Sequence, residues 1–327
     1  MKDQEYKYDD YEFEENWRNL FFLQQLAALE KSNTSYEFLV DLSSVHNLYS
    51  ANIPQPNPIT NRAMYIIDTL NKLGVKYSLD IFEAQGGNDI TWGNSSYSSH
   101  KLVNIIAEPN PQVTGPAIVF CAHHDVMNVH SQNAQDNSAS VCNLLRLSSL
   151  IKTSKDEHQR TIILFSDSEE ISAKGANRFA KKSSSIKGSR NISHEIYGEI
   201  SAVINLELTG NGTIIWSDCE KNKSEDELHI SLETTLGHNI QKLRTPPSDA
   251  IAFRRYKYPV LCIGILPEYD MKKHDTWRIC HSIDDTIEKC NGTDMENFTK
   301  FLFNITKKPI ITTDNGNQNQ TEELKKI

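Results

Sequence analysis

The sequence of 327 residues lacks any run of about 18 apolar residues, so it offers no membrane-spanning helix. The mean hydropathy of -0.52 agrees. Basic charge is in short supply: 34 Lys and Arg face 43 Asp and Glu, for a formal net charge of -9. That balance disfavours a nucleic-acid partner, which needs a basic patch. Six cysteines include no CxxC pair, and in a chain this long they do not read as a disulfide framework. Cys121, Cys142 and Cys262 sit in apolar runs and read as buried thiols. Cys280 and Cys290 flank a motif described below, and a disulfide between them stays open. Residues 1–15 are polar and acidic, without the basic and apolar regions of a signal peptide. The cytoplasm is the expected location; secretion after removal of a leader is the alternative. No internal repeat is present, and the Asn-x-Ser/Thr triplets carry little weight without a secretory signal.

What is present is enough apolar material for one large α/β domain, 38% of the chain. Leu20, Phe21, Leu23, Leu26 and Leu29 share a broad face and predict a helix over residues 17–29. Helices follow over 36–45 and 61–73, the second ending at Gly74, a natural residue just past a helix C-terminus. Pro54, Pro56 and Pro58 mark the loop between them. A strand is expected over 75–82. Then short apolar runs rich in β-branched residues, at 102–107, 117–122, 161–166, 202–206 and 260–264, alternate with helical patterns. Those patterns cover 137–151, 172–182, 225–236, 249–256 and 295–305. Uniformly apolar strands between helices imply an α/β fold: a single domain with a mostly parallel, mixed sheet sandwiched between helices. Such sheets bind ligands at the carboxyl ends of their strands. Residues 181–199, rich in Ser, Lys and Gly, read as a surface insertion. Residues 308–327, nearly devoid of apolar side chains, read as a disordered tail.

The residues that carry chemistry stand at the predicted strand ends. After 117–122 comes His123-His124-Asp125. Asp136-Asn137 opens the next helix. After 161–166 come Asp167-Ser168-Glu169-Glu170, and after 202–206 comes Glu207. Near the end of the sequence stands His281-Ser282-Ile283-Asp284-Asp285-Thr286. Imidazole and carboxylate are the donors that suit zinc, with cobalt and manganese as substitutes. A two-metal hydrolase needs one carboxylate shared by both ions, further ligands on each, and a free carboxylate as general base. Two residues apart on a strand end, His123 and Asp125 project to the same side and fit a ligand and its orienter. His124, between them, points away and reads as structural. Taken singly, each motif is ordinary. A lone His is usually a satisfied polar residue, Glu169-Glu170 suits any helix start, and Asp136 would serve as a plain N-cap. Their order and their position at strand ends carry the argument.

The set "AHHD", "DNSAS", "DSEE", "INLELTG" and "HSIDDT" resembles zinc peptidase family M28, of the bacterial leucyl aminopeptidase type. The stretch "PPSDAIAFRRYKYPVLCIG" resembles the segment that precedes the family's last strand, and the resemblance spans roughly residues 40–307. It implies a zinc-exopeptidase (phosphorylase/hydrolase-like) fold with two Zn2+ per chain. His123 would ligate one metal and Asp125 would orient it. Asp136 would bridge both ions, and Glu169 would be the general base. Glu170 and His281 would share one ion, Glu207 would join His123 on the other, and Asp285 would stand behind His281. A cis peptide bond at Asp136-Asn137 is implied as well. The sequence departs from the pattern in a shorter gap between Asp125 and Asp136, in Ser140 for a glycine, in Glu207 for an aspartate, and in Ala250 for a histidine.

On this footing residues 1–35 form an acidic, helical extension, 36–307 the catalytic domain and 308–327 a polar tail. The expected activity is removal of N-terminal residues from peptides, with no nucleic-acid or membrane partner. Tyr256, Tyr269, Trp277 and Ile279 are candidates for the substrate pocket, and His274 for its lining. The nearest rival is a single-zinc glutaminyl-peptide cyclotransferase. Its relatives carry a tryptophan before the last histidine, where this chain has Cys280, and tend to lack the asparagine found here as Asn137. Carboxypeptidase or dipeptidase specificity, and a non-catalytic binding module of the same fold, are the remaining alternatives.

Overall fold

The computed structural model describes residues 34–43, 59–84, 87–89, 95–97, 100–127, 131–183, 197–218, 223–273 and 275–307. The helix expected over 17–29, the tail 308–327, most of the insertion, Cys219 and His274 lie outside these residues. In chain order the elements are α1 (Ser35–Ser43), α2 (Asn61–Lys72), β1 (Lys76–Ala84), β2 (Gly87–Asp89), β3 (Ser95–Tyr97), β4 (His100–Glu108) and β5 (Ala117–His123). There follow α3 (Ala139–Thr153), β6 (Thr161–Ser166), α4 (Lys174–Ser183), β7 (Ile200–Leu206), β8 (Ile214–Asp218) and α5 (Lys223–Leu236). The last are β9 (Gln241–Lys242), α6 (Ala250–Arg255), β10 (Val260–Leu266), α7 (Asp270–Lys273), α8 (Asp275–Ile279) and α9 (Gly292–Thr306).

Eight strands form one sheet in the order β1-β4-β6-β5-β7-β10-β8-β9. The centre, β6-β5-β7-β10, is parallel, while β1, β4 and β8 run antiparallel to their neighbours towards the centre. This is the mostly parallel α/β architecture that the continuous apolar runs imply. Every residue of β5, β6 and β10 is buried, because helices cover both faces. Alternation along β5 sorts its side chains. Ile118, Phe120 and Ala122 join the core under α1, α2, α3, α5 and α9, whereas Ala117, Val119 and Cys121 join the core under α4 and α6. Among the described residues, no helix is long and apolar enough to cross a membrane.

Strand order fixes where a ligand sits. From β5 the chain moves to β6 on one side and later to β7 on the other, so the order reverses at β5. The carboxyl ends of the strands open a crevice at such a switch point. His123 ends β5, Glu169 and Glu170 follow β6, and Glu207 follows β7. The helix expected from Asn137 begins instead at Ala139. Asp136 and Asn137 hold non-helical conformations inside a wide turn, Ala134–Ser138, that precedes it. Four strands were not anticipated: β8, which flanks β10, the two-residue β9, and the short pair β2 and β3, which forms a separate two-stranded sheet.

Candidate metal centre

Asp136 occupies the middle of the crevice. Its Oδ1 lies 3.2 Å from His123 Nε2, and its Oδ2 lies 3.2 Å from His281 Nε2. Glu207 Oε2 stands 3.7 Å from the same His123 nitrogen, and Glu170 Oε2 stands 2.9 Å from the same His281 nitrogen. Two groups of possible metal ligands result, His123–Asp136–Glu207 and Asp136–Glu170–His281, each with its donor atoms within 4.8 Å of one another. Glu169 belongs to neither group. Its Oε2 is 4.0 Å from His123 Nε2, and its side chain lines the cavity over the centre.

Ion-pair contacts and hydrogen bonds hold these side chains in place. Asp125 Oδ1 is 3.4 Å from His123 Nδ1, and its two oxygens accept the N–H groups of Glu169 and Glu170, each at 3.1 Å. One carboxylate thus ties the end of β5 to the turn after β6. The peptide bond Asp136–Asn137 is cis. Asn137 Nδ2 donates to the Leu206 carbonyl, and the Gln135 side chain spans from the N–H of Gly210 to the carbonyl of Lys289. Asp285 accepts the N–H groups of Gln135 and Asp136, at 2.7 and 3.0 Å. The expectation put Asp285 behind His281; its hydrogen bonds run to the turn that carries Asp136, because that turn exposes two N–H groups no helix satisfies. Ser168 (φ 62°), Leu208 (φ 53°) and His281 (φ 64°) take the left-handed region, where non-glycine backbone is strained. Each is a site residue or adjoins one, and such strain clusters at functional sites.

The electrostatics favour a cation. Burial and the neighbouring carboxylates push Glu169 well above the usual carboxylate range, and burial beside Asp136 lifts Glu170 to about 7. Burial also raises Glu207. Asp136 is held below the ordinary value: burial opposes its charge, but His123 and His281 outweigh that cost. His281 rises to about 10 through its contacts with Asp136 and Glu170. Glu170 Oε1 is buried with no hydrogen-bond partner among the described residues, a costly arrangement for an oxygen that faces no cation. Imidazole and carboxylate donors, five in number with the shared aspartate included, fit zinc.

A family comparison decides the fold's lineage. The model of peptidase family M28 matches residues 104–306. The chain belongs to peptidase family M28. No curated protein matches it by sequence. Among solved structures, the LapA aminopeptidase of Legionella pneumophila superposes with a TM-score of 0.63 at 16% identity, over 94% of this chain and 78% of that one. BSAP, a zinc aminopeptidase from Bacillus subtilis, gives 0.62 at 11% identity, covering 83% of this chain and 93% of its own. The glutaminyl cyclase of Porphyromonas gingivalis gives 0.60 at 17%, covering 83% and 96%. The family match supports a metal-dependent peptidase-fold function, and aminopeptidases and glutaminyl cyclases share the fold.

In this M28 chain a cavity of about 430 Å³ opens over the centre. Of the pocket candidates, Trp277 lines it, and Tyr256, Tyr269 and Ile279 are not among its lining residues. Tyr256 ends α6 and packs on the outer core, Ile279 ends α8, and Tyr269 is 63% exposed. The apolar wall comes instead from Met127, Leu208, Trp216 and the loop bearing Pro246 and Pro247. Trp216 lies on β8, opposite Gly264 of β10, and its ring centroid is 5.6 Å from that of Trp277. A Cβ at Gly264 would stand 2.6 Å from the Trp216 ring, so glycine lets the indole lie against β10. Sequence reasoning also missed a role for Asp249, which is fully buried below the centre. It accepts hydrogen bonds from Ser166 Oγ and Cys121 Sγ, and burial lifts its carboxyl to about 7. Its place in the Ser248-Asp249 pair of the family-like segment was the available signal. His124 meets its expectation: Nε2 is 3.0 Å from the Val103 carbonyl, and burial lowers the ring to about 4. Cys280 and Cys290 are free thiols.

Proposed function

We propose that this chain is a two-zinc aminopeptidase that releases N-terminal residues from peptides. The observation that carries the reading is Asp136, whose two oxygens each face a different histidine, as a carboxylate shared by two ions requires. His123 and Glu207 would hold one ion beside it, and Glu170 and His281 the other. Bound zinc supplies Lewis-acid polarisation of the scissile carbonyl and acidifies the attacking water. Glu169 takes the proton of that water at its carboxylate and returns it to the departing amine. Burial and the neighbouring carboxylates raise its pKa, which makes it a stronger base than a solvent-exposed glutamate. Asp125 keeps His123 and the Glu169–Glu170 turn in register. The acidic lining attracts the free α-ammonium of the substrate, and the wall of Trp216, Trp277 and Leu208 receives its side chain.

The test is zinc per chain by elemental analysis, after loading and dialysis, followed by aminoacyl chromogenic substrates. Two ions with amine-dependent hydrolysis support the proposal. One ion with cyclisation of glutaminyl peptides replaces it with the cyclotransferase. Absence of zinc makes a binding module the better account.

A further inference from the structure

The segment that matches the family begins at residue 104, yet the centre is braced from a helix that precedes it. Arg62, in the first turn of α2, is 3% exposed. Its Nε donates to the His124 carbonyl at 2.8 Å, and its Nη2 donates to Ser138 Oγ at 2.9 Å. The first acceptor lies between His123 and Asp125. The second lies directly after Asp136–Asn137, and Ser138 Oγ donates in turn to the Asn133 carbonyl, closing the turn that carries Asp136. One guanidinium therefore spans the two segments that present His123 and Asp136 to each other. A rigid planar fork does this; an ammonium on a flexible stem does not.

A buried arginine with a purely structural task is the plainer account. Neutral donors would satisfy a carbonyl and a hydroxyl at far lower desolvation cost, since burying a charge is the expensive choice. Nη1 has no partner among the described residues, and the charge lies within the field of Asp125, Asp136 and Asp285. The position of the cation, against the back of the acidic centre, gives the expense a purpose.

We infer that Arg62 is a positioning residue of the metal centre: it sets the separation of His123 and Asp136, and with it the affinity of the His123–Asp136–Glu207 group relative to the Asp136–Glu170–His281 group. The inference rests on the two-metal reading. It is tested with full-length Arg62→Met, Arg62→Lys and Ser138→Ala, titrated with zinc against a chelator and with cobalt by visible absorption. A His281→Ala background reports the His123 group alone. The parent takes two ions. Arg62→Met loses about 10–100-fold in affinity at the His123 group, the scale of removing an outer hydrogen-bond partner, with little change at the other. Arg62→Lys, which keeps the charge but not the fork, recovers only part, and the cobalt spectrum of the His123 group changes in both. A variant that melts lower yet binds both ions like the parent overturns the inference, as does an equal loss at both groups. If Arg62→Met fails to fold, Ser138→Ala decides. It removes one acceptor and leaves the cation, so the same selective loss is expected, and unchanged binding refutes the role. A parent that takes up no ion overturns the two-metal reading and the inference together; a two-ion parent with an indifferent Arg62→Met overturns the inference alone.

Discussion

Glu169→Gln separates catalysis from metal binding and from folding in one variant. Glutamine has the shape of glutamate, so the turn held by Asp125 through the N–H of residue 169 is kept. Glu169 is outside both ligand groups, so zinc content is expected to stay at the parent value. A positioned general base contributes about 10²–10⁴-fold, and each tenfold is about 1.4 kcal/mol, so the loss in kcat is worth about 3–5.5 kcal/mol of transition-state stabilisation. Stability moves the other way. A carboxyl whose folded pKa is raised favours its protonated form. Its penalty is absent below the unfolded value and grows as pH rises above that value, until the folded pKa is passed. Glu169 is raised by burial and by Glu207 and Glu170, so at pH 7 in chelator the neutral glutamine variant melts at or above the parent temperature.

The assay needs three readouts on the same preparation: kcat on an aminoacyl chromogenic substrate, zinc per chain, and melting temperature with chelator. A kcat within tenfold of the parent refutes Glu169 as the base. Loss of zinc together with activity refutes the assignment differently, by making Glu169 a ligand. A lower melting temperature in chelator shows that the buried carboxylate is stabilised by a contact other than those around it in this structure.

Three further outcomes follow from the geometry. Burial alone would raise Asp80, but its hydrogen bonds from Arg178 and Lys182 hold it below the ordinary value. Asp80→Asn therefore costs about 1–2 kcal/mol at pH 6, discounted for the half-open arginine, and the gap to the parent closes as pH falls below about 4 in a thermal melt series; a gap independent of pH refutes the ion pair. Gly264→Ala places a Cβ 1.9 Å from the Glu207 carbonyl oxygen and 2.6 Å from the Trp216 ring. It is expected to cost about 3 kcal/mol or more in denaturant unfolding and to weaken zinc binding, and a variant that keeps both refutes the tight approach. Zinc at 100 times its dissociation constant adds about 2.7 kcal/mol to the parent, read as a concentration-dependent rise in melting temperature, and no shift refutes a site preformed in the fold.

The strands that build the centre were legible because they are buried on both faces. A run such as Ile162-Ile163-Leu164-Phe165 has no polar side to hide, and the acidic and imidazole residues that follow each run stand where a parallel sheet opens. What the sequence could not supply is adjacency. Strand β8 is only five residues long, and its pairing with β10 crosses about 50 positions, so no local pattern announces that Trp216 lies beside the pocket. Candidates were therefore drawn from aromatic and apolar residues that precede His281 in sequence, and among the described ones Trp277 alone lines the cavity.

The same limit explains the start of α3 and the role of Asp285. A helical period read from Asn137 onward is continuous with α3, but the non-helical φ and ψ of Asp136 and Asn137 arise from contacts far along the chain, with Leu206, Gly210, Asp285 and Lys289. Local propensity favours an ordinary N-cap at Asp136. Tertiary hydrogen bonds override it and turn both carboxylate oxygens towards histidines instead. The centre is thus specified twice: residue type places donors at strand ends, and a turn stapled by four distant residues, from segments 206–210 and 285–289, decides which donor faces which. The second layer is where Arg62 and Asp285 act, from either side of the Asp136 turn. Neither is a ligand atom in the two groups, so a reading confined to donors passes over both.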